Sequence, residues 1–157
     1  ALAFVPGGAT GAQAGRLILI DSRGARTTVP GDPRAVWDPR VSADGTRVAF
    51  DGRNEDIFVA NLQTGAATRL SFSQEEDETP VWSPDGRRVA VAYTPLGLDD
   101  GEVVLWSLDS GRRLLTFRPR GAPAGLAFSP AGDRLVLAVS GGDQPFHVWD
   151  AAPLSMP

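Results

Sequence analysis

The sequence contains no cysteine and no lysine, so all 15 of its basic residues are arginine, and it holds a single histidine, His147. Each absence removes chemistry. Without thiols there is no disulfide, no cysteine nucleophile and no thiolate metal site. Without lysine there is no Walker-type phosphate loop and no Schiff-base amine. One imidazole excludes zinc sites built on two or three histidines and forces any Ser-His-Asp arrangement through His147. Long apolar runs are also missing, since none approaches the roughly 20 residues that a membrane-spanning helix needs. The N-terminus lacks the basic, apolar and small-residue order of a signal peptide. The chain opens on Ala1 and has its one methionine at Met156, which reads as a processed or excised piece.

What remains is acidic and turn-rich. Nineteen acidic residues give a net charge of −4, the wrong sign for a protein that neutralises nucleic-acid phosphates with clustered basic side chains. Eighteen glycines and 13 prolines would suit disorder if the rest were polar, yet 42% of the chain is hydrophobic. Short apolar segments between turn residues are the signature of many short strands. At 157 residues the chain is long enough to bury a substantial core in one domain.

An internal repeat organises these segments. Ser42-Ala43-Asp44-Gly45, Ser83-Pro84-Asp85-Gly86 and Ser129-Pro130-Ala131-Gly132 are one element in three copies, with the glycines 41 and then 46 residues apart. A second marker, the glycine that follows a strand, recurs at Gly24, Gly65 and Gly111 with the same two spacings. The extra residues fall around Thr94 to Gly101. In Ser83-Pro84-Asp85-Gly86 the proline presets φ at the second turn position and the glycine tolerates the left-handed conformation that leads into the next strand. A strand a before this turn and a strand b after it therefore form a tight hairpin. Strand b reads Arg47 to Phe50, Arg88 to Val91 and Arg134 to Leu137, with Leu2 to Phe4 as an earlier counterpart. Strand c follows at Leu17 to Ile20, Ile57 to Val59, Val103 to Trp106 and Phe146 to Trp149, and strand d at Ala25 to Val29, Thr68 to Phe72 and Arg113 to Phe117. Four strands in about 41 residues is the arithmetic of a β-propeller blade. The fold class is all-β, a single propeller-type domain with units over about 1–30, 36–72, 79–117 and 123–157, the first and last partial.

Pro80-Val81-Trp82-Ser83-Pro84-Asp85-Gly86-Arg87-Arg88-Val89-Ala90 and Pro39-Arg40-Val41-Ser42-Ala43-Asp44-Gly45-Thr46-Arg47-Val48-Ala49-Phe50 resemble the TolB-like propeller repeat. The stretch from Phe4 through Phe58 is similar to the propeller that follows the kinase and membrane segments of some bacterial serine/threonine protein kinases. Later units drift toward the WD-repeat pattern in Val104-Leu105-Trp106-Ser107 and His147-Val148-Trp149-Asp150, although Ser107 replaces the aspartate and no Gly-His pair opens a unit. The resemblance implies four-stranded antiparallel blades used for binding, carries no catalytic residue or cofactor onto this chain, and leans toward a location outside the cytoplasm. About three and a half blades fall short of the roughly four that close a propeller, so completion is expected from a second copy, from a missing portion of its own gene product or from a host complex. Two copies would supply about 28 strands, the number in roughly seven four-stranded blades.

The candidate site residues lie in loops joining strand d to a and b to c, and they carry no catalytic or metal role. They are Trp37, Arg53, the acidic group Glu76, Asp77 and Glu78, and the pair Asp99 and Asp100. Trp37 is read as lying outside the strands, where an aromatic side chain either fills the core or anchors a partner. The carboxylates lack the spacing of a dedicated calcium loop and are read as solvated. Trp82, Trp106 and Trp149 read as blade packing, His147 as structural, and the pairs Arg87-Arg88 and Arg112-Arg113 as solvated strand ends. The leading reading is a non-enzymatic module that binds a protein partner or itself, without nucleic acid and without inserting into a membrane, though attachment to a membrane complex is compatible with it. The alternatives are a ligand-sensing domain of a bacterial kinase and the accessory propeller of a peptidase or hydrolase, for which the chain has no Gly-x-Ser-x-Gly elbow of its own.

Overall fold

Alternating short strands and left-handed turn glycines produce fourteen strands and no helix among the described residues. In the computed structural model these are residues 2–4, for which the backbone is described, and 16–31, 36–52, 56–71, 80–94, 98–141 and 144–151. The chain divides into two compact units, 1–80 and 81–157. Unit 1 holds a sheet of β1 (Leu2–Phe4), β2 (Ile18–Ile20) and β3 (Arg26–Thr28), and a second of β4 (Trp37–Val41), β5 (Arg47–Asp51), β6 (Ile57–Asn61) and β7 (Ala67–Arg69). Unit 2 holds β8 (Val81–Trp82), β9 (Arg88–Tyr93), β10 (Glu102–Ser107) and β11 (Arg113–Phe117), then β12 (Ala122–Phe128), β13 (Arg134–Ser140) and β14 (Phe146–Asp150). Each sheet is an antiparallel meander, so strands that follow in sequence are neighbours in space. The first sheet therefore consists of strands b, c and d, the two central sheets of a to d, and the last of a, b and c.

The repeated serine explains why the a–b hairpin recurs. Ser83 is fully buried; its Oγ donates to Asp85 Oδ1 at 2.5 Å and accepts the Arg88 N–H at 2.9 Å. Ser42 does the same with Asp44 at 2.5 Å and the Arg47 N–H at 3.0 Å. The third copy lacks the turn aspartate, since Ala131 stands there, and Asp133 just beyond the glycine takes over: it accepts from Ser129 Oγ at 2.7 Å, while the Arg134 N–H reaches that oxygen at 3.0 Å. In every copy the hydroxyl satisfies a strand-b amide that the ladder leaves unpaired at the turn.

The two faces of each sheet differ in what they bury, because side chains alternate across a strand. In unit 2, Ala90 and Ala92 of β9 with Val103 and Leu105 of β10 pack against Leu135, Leu137 and Val139 of β13. Trp149 closes this core with its ring centroid 3.8 Å from that of Phe117, which places it where a blade-packing residue belongs. In unit 1, Leu17, Leu19 and Val29 meet Val48, Phe50, Ala60 and Leu62.

Arg88 departs from the reading of both arginine pairs as solvated. Arg87, Arg112 and Arg113 are exposed, and Arg87 pairs with Asp109 at 2.7 Å. Arg88, on the opposite side of the strand, is buried to 7% exposure. Its guanidinium donates to the backbone carbonyls of Gly132, at 2.8 Å, and Ala151, and lies 5.5 Å from the Phe128 ring centroid. The next sheet's hairpin comes close enough to make this possible because Gly132, at φ +73°, has no side chain: a Cβ there would sit 3.2 Å from Pro84. One arginine thus ties the a–b turn and the end of strand c in one sheet to the b strand of its neighbour. Arg88→Ala would leave two carbonyls without their donor, and we expect a loss of about 2–4 kcal/mol in urea unfolding, against less than about 0.5 kcal/mol for Arg87→Ala.

The turn carboxylates also set an acid response. The Ser42 hydroxyl and the Thr46 N–H hold Asp44 down from 3.8 to about 2. Burial pushes Asp85 up, but the Ser83 hydroxyl, the Arg87 N–H and the Arg88 charge outweigh it and leave the group lowered. Asp133 is lowered chiefly by Ser129. Groups lowered on folding bind fewer protons in the folded than in the unfolded chain, so their stabilisation is complete above the ordinary carboxylate range and fades as pH falls through the folded values. Carboxyl resonances followed by NMR should show Asp44 titrating near 2, and Ser42→Ala should return it toward the ordinary aspartate value.

Candidate interaction surface

Each sheet has two ends. At one lie the a–b hairpin and the c–d turn; at the other, the b–c loop and the segment leading from d to the next a. In unit 2 this second end is built by the approach of 98–102 to 118–123. The Gly101 N–H donates to the Gly121 carbonyl at 3.0 Å, and Asp100 Oδ1 accepts the Gly121 N–H at 2.9 Å. Gly101 permits the approach because a Cβ there would come within 2.5 Å of the Pro123 ring. Asp99, Asp100 and Leu98 remain exposed on the outside of this crossing, Leu98 to 58%.

Beneath them a buried carboxylate fixes the start of strand c. Glu102 is 5% exposed; Tyr93 Oη donates to its Oε1 at 2.5 Å and Arg118 Nε to its Oε2 at 2.6 Å. Burial pushes the Glu102 carboxyl up, while Tyr93 and Arg118 pull it down, and the net direction is down. Unit 1 repeats the device at the equivalent position. Asp56 is 2% exposed, Arg69 meets its Oδ2 at 2.6 Å, and the Ile57 N–H donates to buried Ser71 Oγ at 2.9 Å. A carboxylate directly before the apolar run of strand c, Asp56-Ile57 and Glu102-Val103, was the available sequence signal for both pairs. Glu102 is buried, whereas Asp99 and Asp100 just before it are exposed.

The sequence-predicted residues fall on both units. Asp99 and Asp100 occupy the crossing of unit 2. Trp37 belongs to unit 1 and lies in a strand rather than a loop, correcting the earlier assignment: it opens β4 and stands opposite Asp51. A bulge between Trp37 and Arg40, with Asp38 at φ +44°, bends the start of the strand, and the indole is 45% exposed at the b–c end of its sheet. Arg53, Glu76, Asp77 and Glu78 lie outside the described residues. Among the described residues no three His, Asp or Glu side chains are grouped to hold a metal ion, and no helix is long and apolar enough to cross a membrane. His147 stacks on Trp149 with ring centroids 5.5 Å apart.

Comparison with known proteins agrees with the blade geometry. No family model matches the chain. It is 30% identical over 119 residues to the uncharacterized peptidase YuxL of Bacillus subtilis, which covers 69% of this chain but only 18% of that protein. Among solved structures it superposes on TolB from Acinetobacter baumannii with a TM-score of 0.70 at 20% identity, over 96% of this chain and 39% of TolB. It superposes likewise on the β-propeller domain of the trilobed protease from Pyrococcus furiosus, with a TM-score of 0.69 at 18% identity, over 94% of this chain and half of that one. The fold is that of TolB-like β-propeller blades.

Two substitutions separate the roles of the buried and exposed members of the carboxylate pair. Glu102→Gln removes the charge that Tyr93 and Arg118 both address and should cost about 1–2 kcal/mol. Arg118→Ala should cost less than about 1 kcal/mol, because its side chain is 76% exposed. Thermal unfolding of the two variants in parallel checks the order.

Proposed function

We propose that this chain is a binding module that recognises polypeptide with the b–c and d–a end of its blades. The observation that supports this most is the construction of that end in unit 2: hydrogen bonds through Asp100 and Gly101 and the Glu102–Arg118 pair hold the frame, while Leu98 and Asp99 project from it. Rigid elements carrying variable exposed loops suit recognition. Trp37, at the corresponding end of a sheet in unit 1, adds an exposed aromatic of the type that anchors partners.

The similarity to YuxL favours a second reading, in which the blades are the accessory propeller of a peptidase and the recognised polypeptide is its substrate. A hydrolase segment encoded in frame with these blades would support it, and a gene product consisting of blades alone would remove it.

A displayed random-peptide library selected on the purified chain tests the first reading. Selected peptides should bind at least tenfold more weakly to a Leu98→Ala, Asp99→Ala variant, which leaves the Asp100–Gly121 hydrogen bond in place, and equally well to Arg87→Ala at the opposite end of the same sheet. Binding that is insensitive to the first variant, or weakened only by the second, would overturn it.

A further inference from the structure

One strand of this acidic chain carries positive charge alone. From Gly111 to Ala122 there is no acidic residue, while Arg112, Arg113, Arg118 and Arg120 place four of the chain's 15 arginines in nine residues. All four are exposed, and so are Leu114, Leu115 and Thr116 between them, the leucines to 47% and 40%. Arg118 meets Glu102. Among the described residues Arg112, Arg113 and Arg120 take part in no ion pair.

The core of this stretch is β11, which pairs with β10 on one side; no strand pairs with its other edge among the described residues. An edge strand leaves alternate N–H and C=O groups without a strand partner, a template for another extended segment. Short edge strands blunt that template. The corresponding strands β3 and β7 are three residues long and hold no large apolar side chain. β11 is five residues long and presents two exposed leucines, one of which, Leu114, a bulge leaves opposite no residue of β10. From Leu115 to Phe117 the ladder to β10 is unbroken, so a pairing segment meets a regular edge there. Arg113 and Arg118, five residues apart, are separated by roughly 17 Å along the strand.

We propose that the outer edge of β11 takes an extended acidic peptide of a partner protein as a further strand. Main-chain hydrogen bonds to the edge set the register, and Leu114 and Leu115 receive the apolar side chains of the peptide. Carboxylates at its two ends meet Arg112 and Arg113 on one side and Arg120 on the other, where the guanidinium groups lack a partner carboxylate. The order of residues favours peptide over nucleic acid, because leucines occupy the middle of the strip, where a phosphate backbone would need charge. The net charge of −4 on the whole chain also opposes a long polyanion. This edge is separate from the loop residues Leu98 and Asp99 and does not depend on their binding polypeptide.

Fluorescence anisotropy of a labelled seven-residue peptide, with glutamates at both ends and valines between them, tests this on the whole chain. The peptide should bind saturably, and at least tenfold more weakly to an Arg112→Glu, Arg113→Glu variant and to Leu114→Asp, with circular dichroism unchanged. Arg120→Glu, outside the strand, repeats the test should either of those fail to fold. The Leu98→Ala, Asp99→Ala variant should bind it as the parent does, which separates this edge from the loop end. A peptide with proline in place of the central valine keeps the charges but loses a main-chain donor, and should also bind at least tenfold more weakly. Equal or tighter binding of the proline peptide, or of a single-stranded oligonucleotide of the same length, would overturn the proposal, because the arginines would then hold polyanions without strand pairing. So would the absence of saturable binding, or binding that the arginine substitutions leave unchanged.

Discussion

A serine hydroxyl at each a–b hairpin, buried at Ser42 and Ser83 and half-buried at Ser129, is the contact from which the rest of this structure follows. A four-residue turn leaves the first amide of strand b without a ladder partner, and a buried unsatisfied N–H costs about 1–3 kcal/mol. Ser42, Ser83 and Ser129 each supply the missing acceptor. With that amide held, the register of strand b is fixed, and register decides which side chains face which neighbour. A shift of one residue would exchange Leu135 and Leu137 for Val136 and Ala138 and empty the core. The aspartate beside each serine orients the hydroxyl so that its lone pair meets the amide. The third copy shows that the function matters more than the position: Asp133 replaces the missing turn aspartate from the far side of the glycine.

Sheets held in register this way still have to be joined. Apolar stacking supplies most of the energy, through Leu135 and Leu137 in unit 2 and Val48 and Phe50 in unit 1. Arg88 adds direction, because its two carbonyl acceptors exist only where the neighbouring hairpin and the end of β14 arrive together. The two ends of the sheets therefore divide the work. The hairpin end carries the serines and Arg88 and is devoted to assembly. At the other end the Asp56–Arg69 and Glu102–Arg118 pairs secure strand c and leave loop residues free for contact.

The fold was legible in the sequence because the repeat prints its turn chemistry and strand alternation several times over; the three-stranded first and last sheets and the complete central ones follow from Gly45, Gly86, Gly132 and the apolar runs between them. Individual side chains were harder to read, for physical reasons. Arg88 looks like its solvated neighbour Arg87 because sequence does not reveal which of two adjacent strand residues donates to a carbonyl 44 residues away. Trp37 looked like a loop residue because the bulge and the left-handed Asp38 that start β4 are backbone events without a strong composition signal. Glu102 follows Asp99 and Asp100 closely in sequence, and a run of acids gives no hint that a strand begins inside it.

The most direct test of this account is amide hydrogen exchange at the strand-b arginines. If the serine hydroxyls set the register, the Arg47, Arg88 and Arg134 amides should exchange as slowly as those of Val48, Val89 and Leu135 beside them, because a hydroxyl accepts each of their hydrogens. Exchange at those three arginines as fast as in exposed turn residues such as Asp44 or Thr46 would contradict it.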